Sequence, residues 1–315
     1  MPESFLSAIA LSRGRSRPLR DAMRDSADAV AINALLADDF HSYIDDERHT
    51  SELIAEAALA TLDRGGVRPQ SVDAVVIATE SAWDAPSSQS PELPGTTRFR
   101  NDLLSRLESI GLDKAHPYGL GMASCADLVP ALMLAAHAVN AGVHSTVLLV
   151  AADRQPRSLP RLMKNGGGVY SDIAVAALVT ALQPTVGVRI GTFIPSARFA
   201  AKGGEPAADI ATTLFAVREL RGRLLERMGY LPTAVDHVIA GNFLRSSLSV
   251  VTDTLGCRDR LVRMDSKPHI AHGHAADVLA TLRLLLQERE IGAGQSVLII
   301  NSSMQMWNLA CLHGV

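Results

Sequence analysis

Gly121-Met122-Ala123-Ser124-Cys125-Ala126-Asp127 runs directly into an apolar stretch from Leu128 to Val139, which closes at Gly142 ahead of Val147-Leu148-Leu149-Val150. The pattern predicts a buried helix over Cys125–Asn140 and a buried strand after it, with a thiol at the helix mouth. A shift of 150 positions finds the same order of elements: a helix over Ala275–Glu290, glycines at Gly292 and Gly294, and the strand Val297-Leu298-Ile299-Ile300, with Ala275 opposite Cys125. An upstream pair repeats as well. Glu52–Leu62 reads as a helix stopped by Gly65-Gly66 before the strand Val72–Ala78, and Ala216–Met228 as a helix stopped by Gly229 before Val235–Ala240. Helix–glycine–strand is common in α/β proteins, so one match would carry little. Two matches in the same order predict two βαβ-type halves in one chain, residues 1–180 and 181–315. The longer spacing in the first half places an insertion in Ala82–His116, whose Ser- and Pro-rich start, Ala82–Pro94, reads as loop. The runs Ala174–Val179 and Val186–Phe193 complete the sheets.

A hydrophobic content of 47% with only 4% aromatics suits a core of Ala, Leu and Val. The net charge of −3 supplies no basic field for nucleic acid. The three cysteines, with no C-x-x-C pair, predict neither a disulfide framework nor a thiol zinc site, and point to a reducing cytoplasm. Arg13, Arg15, Arg17 and Arg20 interrupt any leader-like apolar run, and no segment reaches membrane-spanning length. Asp38, Asp39, Asp45, Asp46 and Glu47 read as solvated surface. Gly166-Gly167-Gly168 lacks the G-K-[ST] ending and strand–loop–helix setting of a phosphate loop.

Ligands of open α/β sheets bind beyond the carboxyl ends of the strands. Those ends carry Thr79-Glu80, Asp153, Gly241-Asn242-Phe243 and Asn301-Ser302-Ser303, and the loops leading into the paired helices add Ser124-Cys125 and Ala271-His272-Gly273-His274. If the halves are related by a pseudo-two-fold axis, Cys125 and the His272–His274 turn face one another. A lone cysteine commonly just packs, and Cys257 and Cys311 are read that way. At a helix mouth, the dipole and free N–H groups favour the thiolate, the form that attacks thioesters. A nearby imidazole adds a base or proton shuttle, and Asp277 lies within reach to orient either His272 or His274. An H-x-H pair can also bind zinc, but no cysteine flanks it here, so no metal is assigned. Arg154, Arg157, Arg161 and Lys164 form a basic run that could receive an acidic carrier protein or a CoA phosphate; most such runs are solvated surface.

From about Ser51 onward, the chain resembles the thiolase-fold condensing enzymes, and among them β-ketoacyl-ACP synthase III. The resemblance rests on Ala123-Ser124-Cys125-Ala126, on Val235-Asp236-His237-Val238-Ile239, on Ala271–Val278 and on the closing strand with Trp307. It implies a five-layered αβαβα fold, a homodimer, and acylation of Cys125 by an acyl carrier protein or CoA thioester without a cofactor. The departures redirect the chemistry. The family's decarboxylating histidine falls at Gly241, followed by Asn242, and its active-site asparagine falls at His272. The glycine-rich run ahead of the tryptophan is Ser302-Ser303-Met304-Gln305, and the N-terminal CoA-holding segment has no counterpart in Ile32–Thr50.

A Cys125–His272–Asp277 set looks like the family's acyltransferase branch, which passes an acyl group to a hydroxyl or amine acceptor, usually in specialised-metabolite pathways. Asn242 would then bind the acceptor or orient His272, and the N–H of Cys125 with that of Ser303 or Met304 would form the oxyanion hole. The rival readings are a decarboxylative condensing enzyme with His272 alone stabilising the carbanion, and a non-catalytic partner subunit.

Overall fold

The computed structural model describes residues 3–12, 14–25, 29–86, 92–197, 206–229, 232–303 and 306–315. Chain order begins with β1 (Phe5–Leu11), β2 (Arg15–Pro18), α1 (Ala29–Ala37) and β3 (Ser42–Asp45). It continues through α2 (Thr50–Gly65), β4 (Ala74–Ala78), α3 (Gly95–Ser109), β5 (His116–Leu120), α4 (Leu128–Asn140), β6 (Thr146–Asp153) and β7 (Ile173–Thr180). After Thr180 come β8 (Gly187–Ala197), α5 (Pro206–Met228), β9 (His237–Ala240), α6 (Arg245–Leu255), β10 (Val262–Arg263) and α7 (Lys267–Ile270). The chain closes with α8 (Asp277–Gln287), β11 (Ser296–Ser302) and β12 (Met306–Gly314).

The strands repeat one topology. The order β5-β4-β6-β7-β1 is matched by β10-β9-β11-β12-β8. In each set the first three strands are parallel, and the last two join antiparallel. The aligned glycines serve as C-caps of equivalent helices: Gly66 after α2 and Gly229 after α5 both have left-handed φ, +61° and +70°, a conformation that costs glycine little.

Alternation along the strands builds the layers. Val75 and Ile77 of β4, with Leu148 and Val150 of β6, pack outward under α2 and α3, while Ala74, Val76, Val147 and Leu149 pack inward against α4. In the second half, Val238, Leu298 and Ile300 face α5 and α6, while Ile239, Val297 and Ile299 join α4 and α8 in the central layer. Strands covered on both faces read as continuous apolar runs, which is why β4 is buried at every position. The result is the five-layered αβαβα arrangement. Helices α4 and α8 form its middle layer, with Pro130 tolerated in the first turn of α4.

Several elements were not anticipated from the sequence. Strand β1 lies well before Ser51, at the seam, pairing with β7 and, over Phe5–Ser7, with β8, so the two sheets share an edge. Its alternation is broken by a bulge between Ser7 and Ala10, with Ala8 at φ +54°. A Cβ at Gly187 would come within 2.5 Å of the Leu6 carbonyl oxygen, so the seam requires glycine there. Helix α3 lies within the Ala82–His116 insertion; residues 87–91 of the expected loop lie outside the described residues. The β2–β3 ribbon packs on α7, and a satellite core of Leu19, Ile32, Leu35, Phe40 and Val169 with Ala271 ties it to the loop before His272. No described helix is long and apolar enough to cross a membrane.

Candidate active site

The pseudo-symmetry reaches individual atoms at the mouths of the two central helices. Cys125 lies in a short 3-10 turn, Ser124–Ala126, one step before α4 rather than within it, and His274–Ala276 forms the equivalent turn before α8. Ser124 and His274, 150 positions apart, both take left-handed φ values, +57° and +55°. Asp127 accepts the Ala123 N–H at 3.0 Å, and Asp277 accepts the Gly273 N–H at 2.6 Å. Asp277 is therefore first a turn-closing aspartate, present in both halves. Only in the second half does a histidine stand beside it.

That histidine is His272, fully buried. Its backbone is stapled to the segment before β7: the His272 N–H donates to Val169, and the Ser171 N–H donates to the His272 carbonyl, each at 2.8 Å. His272 Nδ1 lies 2.6 Å from Asp277 Oδ2, and Nε2 lies 3.2 Å from Cys125 Sγ. The Phe243 ring closes the other side, with centroids 4.4 Å apart. His272 and Cys125 are thus the pair in direct contact, and His274 is not the residue that Asp277 orients.

Asn242 is buried and engaged internally. Its amide donates to the Ala271 carbonyl (2.6 Å), Ser266 Oγ (2.9 Å) and Asp277 Oδ1 (3.2 Å), while its own N–H donates to Asp277 Oδ2 (2.8 Å). Of its two candidate roles, contact with an acceptor is not what this geometry offers; it positions Asp277. Two residues not assigned from the sequence hold the nucleophile's backbone. Asn301 donates to the Cys125 carbonyl at 2.7 Å and accepts the Val129 N–H, and Asn308 donates to the Ala126 carbonyl. Both are strand asparagines: Asn301 stood among the strand-end residues without a role, and Asn308 was marked only as a polar residue interrupting an apolar strand.

The electrostatics correct the expectation of a resting thiolate. Burial pushes the Cys125 thiol up, against the pull of His274. Cys257 and Cys311 are pushed up to about 12 by burial and are inert. For His274, burial acts downward, but Cys125, Glu80 and Asp153 together raise it to about 10. The ligating atoms of Cys125, His272 and His274 lie within 4.8 Å of one another, a donor set suited to zinc. Cys125 is thus flanked by two imidazoles, His272 held by Asp277 and His274 facing Glu80.

Two expectations fail on geometry. The Ser303 N–H donates to the Met306 carbonyl at 2.8 Å, closing the β11–β12 turn, and is not available as an oxyanion donor; Met304 lies outside the described residues. Parts of the acidic and basic runs, both read as surface, are tied into the fold, while Asp39 and Glu47 stay exposed. Arg154 bonds Asp84 (3.0 Å) and the Asp46 carbonyl, and Arg161 bridges Asp45 and Asp172. Asp38 meets the buried Lys267 at 3.1 Å. Only Arg157 and Lys164 of the basic run are exposed. Arg154→Ala is expected to lower unfolding free energy by about 1–3 kcal/mol, since it removes a buried charge-assisted pair while Asp84 keeps His49 and Thr50 as partners. Arg157→Ala and Lys164→Ala should stay within about 0.5 kcal/mol of the parent in urea titrations. The Gly166–Gly168 run is the turn of a short hairpin, Leu162 pairing with Val169.

No protein-family model matches the sequence, and no curated protein matches it. Solved structures match over nearly the whole chain. The acyltransferase ChlB3 aligns at 17% identity over 99% of this chain and 98% of its own, with a TM-score of 0.79. The 3-oxoacyl-[acyl-carrier-protein] synthase III of Aquifex aeolicus VF5 aligns at 15% identity over 98% and 99%, with a TM-score of 0.75. The priming β-ketosynthase of the R1128 polyketide pathway aligns at 19% identity over 99% and 98%, with a TM-score of 0.74. The fold is that of the thiolase-like β-ketoacyl-ACP synthase III enzymes.

Proposed function

We propose that the chain is an acyltransferase working through an acyl-Cys125 intermediate, taking its acyl group from a carrier-protein or CoA thioester. The observation that carries this reading is the relay Cys125 Sγ–His272–Asp277, at 3.2 and 2.6 Å. In the first step the Sγ proton passes to His272 Nε2 as Sγ bonds the thioester carbon. The tetrahedral intermediate then collapses, the donor C–S bond breaks, and the departing thiolate takes the proton from His272. In the second step a hydroxyl or amine attacks the acyl carbon, His272 accepts its proton, and Cys125 leaves and is reprotonated. Asp277 fixes the tautomer with Nδ1 protonated and stabilises the imidazolium that forms.

Decarboxylative condensation is disfavoured by what surrounds Gly241. A Cβ there would sit 2.9 Å from the Phe243 ring and 3.6 Å from Asp277, so the space beside His272 is already filled. An apolar cavity of about 380 Å³ lies at the ends of β4 and β5, lined by Thr79, Phe99, Leu103, Tyr118, Leu120 and Gly121. Its lining reaches Gly121, in the segment that leads to Cys125, and on this reading it takes the acyl chain. The exposed edge of β5 is where a second copy would add in a homodimer, and Arg157 and Lys164 remain as carrier contacts.

Given acyl and malonyl thioesters with alcohol or amine acceptors, the protein is expected to form O- or N-acyl products and to release little labelled CO₂ from malonyl donors. Brisk CO₂ release that depends on Cys125, with a β-keto product by mass spectrometry, would replace this reading with the condensing one.

A further inference from the structure

His274 takes no part in the relay, yet its ring is only 8% exposed and neither ring nitrogen has a hydrogen-bond partner. A buried polar group left unpaired destabilises the fold. Several features hold it there nonetheless. Its backbone adopts the left-handed conformation shared with Ser124. Its ring stacks on Tyr170 with centroids 4.8 Å apart and planes 20° apart, and lies 5.4 Å from the His272 ring. Glu80, at the end of β4, stands 3.7 Å from Nδ1, an ion-pair distance beyond hydrogen-bond reach. The other titratable groups around it are Asp153 from β6, Cys125, His272 and Tyr170.

The missing partner is one the reaction would create. Attack on a thioester turns its carbonyl oxygen into an oxyanion, which needs two donors, and the Ser303 N–H is already engaged. We infer that His274 donates to the oxyanion of both tetrahedral intermediates alongside the Cys125 N–H. This rests on the acyl-Cys125 reading and divides labour between the two imidazoles. His272 accepts and returns protons. His274 keeps its proton throughout: the carbonyl π pair moves onto oxygen as the new bond to carbon forms, and returns as the leaving sulfur departs. A charge in place before the reaction requires no reorganisation during it.

The test uses a charge-sensitive probe that requires no acyl donor. Cys125 alkylation by iodoacetate and by iodoacetamide is followed by intact mass, and the rate ratio is compared between variants. Both reagents need the same thiolate, so the ratio reads only local charge. His274→Gln is expected to lower the iodoacetate-to-iodoacetamide ratio about tenfold or more, as loss of a nearby unit charge should. His272→Ala is expected to slow both reagents and leave the ratio unchanged, which separates a failure of the base assignment from a failure of this one. Because the His274 proton is held until about pH 10, the parent ratio should persist through pH 9 and collapse as pH passes that value. Glu80→Gln should move the collapse to lower pH, and serves as the test if His274→Gln does not fold. Donor-dependent acylation should fall by about 10²–10³-fold in His274→Gln. An unchanged ratio in folded His274→Gln, or a lowered ratio with an unchanged acylation rate, overturns the assignment.

Discussion

Cys125→Ala is expected to lose covalent acylation by thioester donors and, with it, product formation, a fall on the order of 10⁴–10⁶ in turnover. The loss should be complete by intact mass, because no other thiol can substitute. Cys257 and Cys311 are buried in the second half's outer core, with their thiols pushed up to about 12 by burial. The fold should survive the change, since Asn301 and Asn308 bond the backbone carbonyls of Cys125 and Ala126 rather than the sulfur. Acylation persisting in Cys125→Ala, mapped to any other residue, would sink the nucleophile assignment.

His272→Ala and Asp277→Asn are each expected to slow acyl transfer by about 10²–10⁴-fold. Since burial keeps Cys125 a thiol at neutral pH, both acylation and transfer depend on His272, and both should fall together. The asparagine variant can still accept the Gly273 N–H, but it no longer holds the imidazole with Nδ1 protonated. Asp127 supplies the control. It closes the corresponding turn 150 positions earlier, with no histidine beside it, and burial, with Glu80 and Asp153 nearby, raises its carboxyl to about 6. Asp127→Asn should leave transfer within a few-fold. A raised carboxyl pKa favours the protonated form in the fold, so the parent loses stability as pH rises through about 6. That slope should flatten in Asp127→Asn, read as thermal midpoints at pH 5 and pH 8. Equal losses of transfer in Asp127→Asn and Asp277→Asn would mean that both act by closing turns alone.

The fold was legible where burial on both faces wrote long apolar runs. The strands over Val75–Ile77, Val147–Val150, Val238–Ala240 and Val297–Ile300, and the helices before them, all stand where the sequence places them. Strand β1 was not legible, because its bulge breaks the period on which a strand is recognised. Strands β5 and β10 were missed for another reason: each lies at an edge of the sheet and carries polar or turn-prone residues such as Pro117, Gly119 and Arg263.

By itself, the amino-acid sequence determined the repeated helix–glycine–strand order, the thiol at the mouth of one central helix, and the His272-x-x-x-x-Asp277 spacing at the mouth of the other. These are local properties, carried by periodicity and short-range spacing. Only the tertiary structure decided that His272 rather than His274 meets Cys125, that Asn242 faces Asp277, and that Arg154 and Arg161 of the basic run are tied to buried carboxylates. It also decided the resting state of the thiol. Each of these is a contact across many tens of residues or a balance between burial and charge. Desolvation depends on what packs around a group, and that is set only when the two halves close on their shared central layer.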